Sequence, residues 1–268
     1  MDMITYIILL LGGGCIGGFL AGLLGVGGGV ILSPIQFELL KLNGVDPQLA
    51  LPMAFATSLA VIFITMISGT YQHYKNGNVE KTGLKQLMIF GVIGSIIGAF
   101  LSTHLHVEIL EILFGIMCMG SVVSMIVIKN PENDDNINRS KLAHSILGFI
   151  AGILSGLLGV GGGIIMIPSL TILLKYSTRK AIGTSSATII ATSIGGIISY
   201  IILGQTVTNL PPYSIGYVNI LQFVIIAFAS VIVAKYAANL SKHVNPKILK
   251  AFQIVLVAYI GLRMFGIV

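Results

Sequence analysis

Two stretches of bare backbone carry the chemistry this sequence can do. Gly22–Gly29 and Gly156–Gly163 both spell GLLGVGGG, and each is followed at the same distance by a proline, Pro34 and Pro168. Without a Cβ, successive backbone N–H groups can converge on one point. A helix that starts just beyond such a turn adds the positive end of its dipole. Together these features hold an anion without any charged side chain. The candidate binding positions are Gly25, Gly27, Gly28 and Gly29 in the first copy, and Gly159, Gly161, Gly162 and Gly163 in the second. Close helix packing, for which small residues are standard in membranes, is the competing use of the same glycines. A nucleotide loop is a poor match, because no strand precedes the glycines and no Lys-Ser/Thr follows them.

A second repeated element consists of hydroxyls: Thr57 and Ser58 in one half, and Thr184, Ser185, Ser186 and Thr188 in the other. Hydroxyls donate to oxyanions; in apolar helices they also bond back to their own carbonyls. His73 is a candidate proton relay, since imidazole titrates near neutrality. Glu38, in the short arm after the first glycine run, is a second candidate for that role. Both also fit plain interfacial positions. No catalytic constellation and no cluster of metal-ligating spacing appears, so neither an enzyme nor a cofactor or metal protein is expected. Cys15 and Cys118 lie in separate apolar runs and read as small buried hydrophobes.

These residues must be positioned by a membrane protein. Of the 268 residues 55% are hydrophobic and 9% charged, against about 25% charged in a soluble domain. Mean hydropathy is +0.98. Long apolar runs recur from end to end (4–24, 30–42, 49–70, 86–103, 107–128, 143–158, 164–174, 181–203, 215–235 and 247–267), which predicts an all-α polytopic fold rather than a barrel. The net charge of +6 comes from basic residues in short loops, so lipid and not nucleic acid is the expected partner. Residues 129–142 form the one strongly polar stretch. They divide the chain into a first membrane repeat, 1–128, and a second, 143–268, joined by a cytoplasmic linker.

Charge selects the topology. If each glycine run merely interrupts a crossing, Lys and Arg split almost evenly between the two sides. If each glycine run instead turns the chain back, as a re-entrant hairpin, thirteen fall on one side and two, Lys41 and Arg263, on the other. The second arrangement is what the positive-inside rule demands. It gives each half a glycine-tipped hairpin plus three spans, inverts the halves relative to one another, and leaves both termini outside. Hairpins entering from opposite faces can bring their tips together near the midplane, an architecture that recurs in secondary transporters.

The doubled GLLGVGGGxxxxP element, with A-x-x-x-x-x-A-T after each copy, resembles the sulfite exporter TauE/SafE family of membrane permeases. Leu210-Pro211-Pro212-Tyr213-Ser214-Ile215-Gly216-Tyr217-Val218 and His73-x-x-x-Gly77-x-Val79 are similar to that family as well. The resemblance covers nearly the whole chain. It implies a multi-pass carrier of the cell membrane that moves small sulfur-containing anions such as sulfite or organosulfonates, with the glycine turns as its site. The leading expectation is therefore a secondary transporter, an exporter by the family's name, working by alternating access. A passive anion channel and a non-transporting membrane scaffold remain the alternatives. A homodimer is a further expectation about partners. The halves differ at Pro52-Met53-Ala54-Phe55 against Gly183-Thr184-Ser185-Ser186, so their contributions to a site need not be equal.

Overall fold

The chain is built almost wholly of helices, because in lipid a helix is the segment that satisfies its own backbone. The computed structural model describes residues 2–24, 28–127, 137–241 and 246–267. Ten α-helices lie among them: α1 (Met3–Leu24), α2 (Gly29–Leu42), α3 (Pro47–Lys75), α4 (Leu84–His104), α5 (Val107–Val127), α6 (Lys141–Leu158), α7 (Gly163–Ile172), α8 (Thr178–Leu203), α9 (Ile220–Ser241) and α10 (Pro246–Met264). Among the described residues, five stretches are long and apolar enough to cross a membrane: α3, α4, α5, α6, and α8 with the 3-10 turn that extends it to Thr206. The fold is an all-α polytopic membrane protein.

Local chemistry sets several boundaries. Asp46 caps α3 by accepting a hydrogen bond from the Gln48 N–H at 2.8 Å, with Pro47 in the first helical position. Ser140 caps α6 by accepting from the Ala143 N–H. The apolar run at 215–235 divides differently from its hydropathy. Residues 214–219 form a two-stranded hairpin, β1 (Ser214–Ile215) and β2 (Val218–Asn219), and α9 begins only at Ile220. Gly216, at φ +56°, supplies the turn. Cys118 is buried as its apolar setting suggests, whereas Cys15 faces outward; both are free thiols.

Both broken runs fold back on themselves. Gly13 of α1 packs on Ile35 of α2, and Gly17 on Leu32. In one straight helix residues 13 and 35 would be about 33 Å apart, at 1.5 Å per residue. The contact order falls along α2 as it rises along α1, so the two arms are antiparallel. In the second run Gly162 returns to the Ala151 carbonyl, a pair that a straight helix would hold about 16 Å apart.

The halves then pair crosswise. α4 packs on α6, and α1 packs on α9. Both pairs are parallel: Leu87, Gly91 and Ser95 meet Gly148, Gly152 and Gly156 in order, while Ile226 and Ser230 meet Gly14 and Gly18. Glycine at every fourth position of α6 lets its backbone touch that of α4, the means by which membrane helices associate without a hydrophobic driving force. α3 and α8 cross antiparallel at the centre, with Gly196 against Leu59 and Ile189 grouped with Ile62 and Met66. α5 and α10 form an outer antiparallel pair through Gly115 and Gly261.

The loops gather into two ends. At one end Lys180 pairs with Glu80 at 3.0 Å, the Asn138 N–H bonds the Leu174 carbonyl, and Tyr176 bonds the Thr82 carbonyl. That end carries Lys75, Lys81, Lys85, Arg139, Lys141, Lys175, Arg179 and Lys180. At the other end Gln48 bonds Leu105 and Val107, Gln222 bonds Tyr6, and Glu38 pairs with Arg263 and Lys41. The beginning of α1 and the end of α10 both lie at this second end, whose Lys and Arg residues among those described are Lys41 and Arg263.

Candidate functional site

The second glycine turn is a strip of left-handed backbone sealed inside the protein. Gly159, Gly161 and Gly162 have φ of +64°, +76° and +79°, a region in which glycine alone is at ease. Gly159 ends α6 and Gly162 precedes α7, with no side chain capping the new helix. The first turn matches where it is described: Gly28 precedes α2 at φ +71°, again without a side-chain cap. Gly25 and Gly27 lie outside the described residues. Gly28, Gly29, Gly159, Gly161, Gly162 and Gly163 are all buried.

The two turns touch. A Cβ placed on Gly29 would sit 2.9 Å from the Val160 Cα, 3.0 Å from the Gly159 carbonyl oxygen and 2.6 Å from the Ile62 side chain. Ser33, one turn into α2, donates to the Gly159 carbonyl across this junction at 3.4 Å. Thr192 of α8 donates to the Ile189 carbonyl of its own helix at 3.1 Å and lies 3.5 Å from the Gly161 carbonyl. Ser33 thus occupies the Gly159 carbonyl oxygen. The N–H groups of Val160, Gly161 and Gly162 have no acceptor among the described residues. Two helices, α2 and α7, also start here, each leaving its first N–H groups outside its own ladder. A place where backbone donors are free favours a negative guest.

The hydroxyls sort into three groups. Ser186 and Thr188 bond back to the carbonyls of Ile182 and Thr184, the behaviour common in apolar helices. Thr57 and Thr184 brace loops of the opposite half: Thr57 accepts from the Asn219 N–H and Thr184 from the Glu80 N–H, both at 3.0 Å. Ser58 and Ser185 are fully buried, and neither hydroxyl has a partner among the described residues. Ser58 is the telling one. It lies three residues after Phe55, which packs on Gly159, and four before Ile62, which packs on Gly29 and Gly161. Helical spacing puts all three on one face of α3, so the Ser58 hydroxyl lies on the face that meets both turns.

His73 and Glu38 lie elsewhere. His73 is half-buried near the C-terminal end of α3, at the basic end of the molecule. Glu38 forms ion pairs with Lys41 at 3.7 Å and Arg263 at 3.5 Å at the opposite end, with about a third of its side chain exposed.

The structure adds residues that sequence reasoning missed. Ser33, Ser155 and Thr192 form a polar collar at the turns, with Ser155 donating to Thr192 at 3.4 Å. Ser193 and Gln36 are buried with unpartnered polar atoms. Ser33 had a signal, since it sits beside Pro34 of the duplicated motif. The others look in sequence like any polar residue in an apolar run.

The model of the family described as sulfite exporter TauE/SafE matches residues 10–264. The chain belongs to that family. Among its relatives, a probable membrane transporter protein of Methanocaldococcus jannaschii is 33% identical over 98% of this chain and 97% of its own length. One of Haemophilus influenzae is 28% identical over 98% and 99%. The probable membrane transporter protein YdhB of Bacillus subtilis is 34% identical over 56% of this chain and 64% of its own. No solved structure matches. The family and these relatives are membrane transporters rather than enzymes.

Proposed function

We infer that this protein is a secondary transporter of a small sulfur oxyanion or sulfonate, working by alternating access around the paired glycine turns. One observation carries the reading: the two turns meet at Gly29 and Gly159–Val160, with free N–H donors and the unpartnered Ser58 hydroxyl facing them. The substrate class follows the family description, sulfite exporter. A site without cations binds an anion weakly enough to release it, which a carrier requires.

The reading takes residues 1–128 and 143–268 as inverted repeats. The reversed glycine runs and the crosswise pairing of α4 with α6 and α1 with α9 support it. The basic end then faces the cytoplasm and both termini lie outside the cell membrane. Rocking of one hairpin-bearing unit against the other would open the site to each side in turn.

Counterflow tests the reading. Liposomes holding the purified protein and unlabelled sulfite should transiently accumulate external labelled sulfite above equilibrium. Gly28→Val and Gly162→Val, in whatever fraction of each is recovered inserted and folded, should abolish this. Flux without counterflow would replace the carrier by a channel. A folded protein that moves none of sulfite, thiosulfate, sulfoacetate or taurine would overturn the reading.

A further inference from the structure

One buried side chain beside the glycine turns needs a donor as well as an acceptor. Gln36 of α2 is fully shielded from solvent, and neither its amide oxygen nor its amide nitrogen has a partner among the described residues. Exchanging the two atoms changes nothing, since both are unpartnered. Leaving both halves of a carboxamide unpaired in a protein interior is costly. Helical spacing sets its place. Gly29, Ser33 and Gln36 follow one another at i, i+4 and i+7, on one face of α2. Gly29 packs on Val160 and Ser33 donates to the Gly159 carbonyl, so this face looks onto the second glycine turn. A helical side chain leans toward the N-terminal end of its helix. That lean brings the Gln36 carboxamide back toward Ser33 and the turns.

We propose that Gln36 selects an oxyanion that keeps one acidic proton: hydrogen sulfite, HO–SO₂⁻, rather than the sulfite dianion. The inference rests on the substrate reading above and narrows it to a protonation state. The amide nitrogen donates to an S–O oxygen while the amide oxygen accepts from the neighbouring O–H. A serine hydroxyl such as Ser58 can rotate to donate or to accept, but a carboxamide oxygen only accepts. Against a dianion it would face lone pairs alone. Charge points the same way. No ionisable residue occurs in 156–166, nor in α3 between Asp46 and Tyr71. On α2 itself Glu38, two residues on, faces away and pairs with Lys41 and Arg263. On α1, Tyr6 accepts from Gln222 and Cys15 is exposed. On α10, Tyr259 and Arg263 are exposed, and Lys247 and Lys250 belong to its opposite end. With no cation to neutralise it, a doubly charged guest is far more costly to bury than a singly charged one. Hydrogen sulfite also brings its own proton, so no relay residue is required at the turns.

Competition with methanesulfinate tests the proposal, because CH₃–SO₂⁻ has the charge and shape of HO–SO₂⁻ with methyl in place of hydroxyl. Displacement of labelled sulfite from full-length protein in detergent, one pH unit below the hydrogen sulfite midpoint, gives both affinities. The unaltered chain should hold methanesulfinate at least about thirtyfold more weakly, since the carboxamide oxygen is left unpaired. Gln36→Met keeps the length of the side chain and removes its polar atoms. It should weaken sulfite but not methanesulfinate, with an unfolding midpoint no lower than that of the unaltered chain. Raising the pH past the midpoint should weaken binding of total sulfite by up to about tenfold per unit. Equal affinities in the unaltered chain overturn the proposal, as does an affinity for total sulfite that ignores pH, or discrimination that survives in folded Gln36→Met. Should that variant not fold, the comparison in the unaltered chain decides alone. Saturable sulfite binding without discrimination sinks this proposal alone; discrimination without counterflow sinks the transport reading alone; no saturable sulfite binding sinks both.

Discussion

Ser58→Ala should leave stability almost untouched, because the hydroxyl it removes holds no hydrogen bond among the described residues. Taking away an unpaired buried polar group is neutral or mildly stabilising, within about 0.5 kcal/mol. Transport should nonetheless fall about tenfold or more, the weight of one hydrogen bond to a charged guest. Thermal unfolding beside flux on the same preparation checks both halves of the statement; a destabilised Ser58→Ala with normal flux would make the residue structural. The sequence singled out the glycines because they occur twice with their prolines, and Ser58 as one hydroxyl of six. It could not rank the six. Ser186 and Thr188 bond to their own helix while Ser58 does not, and that difference depends on where α3 and the turns meet. The His144 and Tyr176 contact was likewise invisible: the residues are 32 apart, in a helix start and a turn with no shared periodicity.

Elements explain why so much of this chain is glycine. α4 and α6 approach so closely that a Cβ on Gly148 would lie 2.7 Å from the Leu87 carbonyl, and one on Gly152 would overlap that of Gly91. Gly152→Ala must push the pair apart, and overpacking of this kind costs about 1–3 kcal/mol. The expected outcome is a lower unfolding midpoint in detergent with sulfite affinity retained, since Gly152 lies outside the turns. Helix existence and rough extent were readable from hydropathy. The ends were less so. Hydropathy suggested 49–70 for α3, yet the helix runs from Pro47 to Lys75, extended at its start by the Asp46 cap and at its end by a mostly exposed turn at the basic end. The hairpin at 214–219 was missed because Val218, Ile215 and Tyr217 are as apolar as the helix that follows. Which helices pair across the halves was also hidden, because small residues fit many partners equally well.

The whole molecule has two clusters of loops, and the basic one carries a contact that responds to pH. Burial works to raise the Glu80 pKa, but hydrogen bonds from Lys180 and Thr82 and the Lys180 charge outweigh it, so the carboxyl sits below its usual 4.5. A depressed pKa gives stability that is full above the unfolded value and disappears as pH falls through the folded one. The Glu80–Lys180 tie should therefore hold above about pH 4.5 and weaken below it. Proteolysis of the α3–α4 loop should quicken as pH falls below about 4.5; Glu80→Gln should remove that dependence. The reversal of each glycine run was legible from the distribution of Lys and Arg, because loops on one side of a membrane share a charge rule whatever their tertiary contacts.

Sulfite binding to the purified protein tests most directly whether bare backbone forms the site. Labelled sulfite should bind saturably to the unaltered chain, at least about tenfold more weakly to Ser58→Ala, and not measurably to a folded Gly162→Val. Equal binding by all three proteins would contradict the account, since the guest would then be held somewhere other than the meeting point of the two glycine turns.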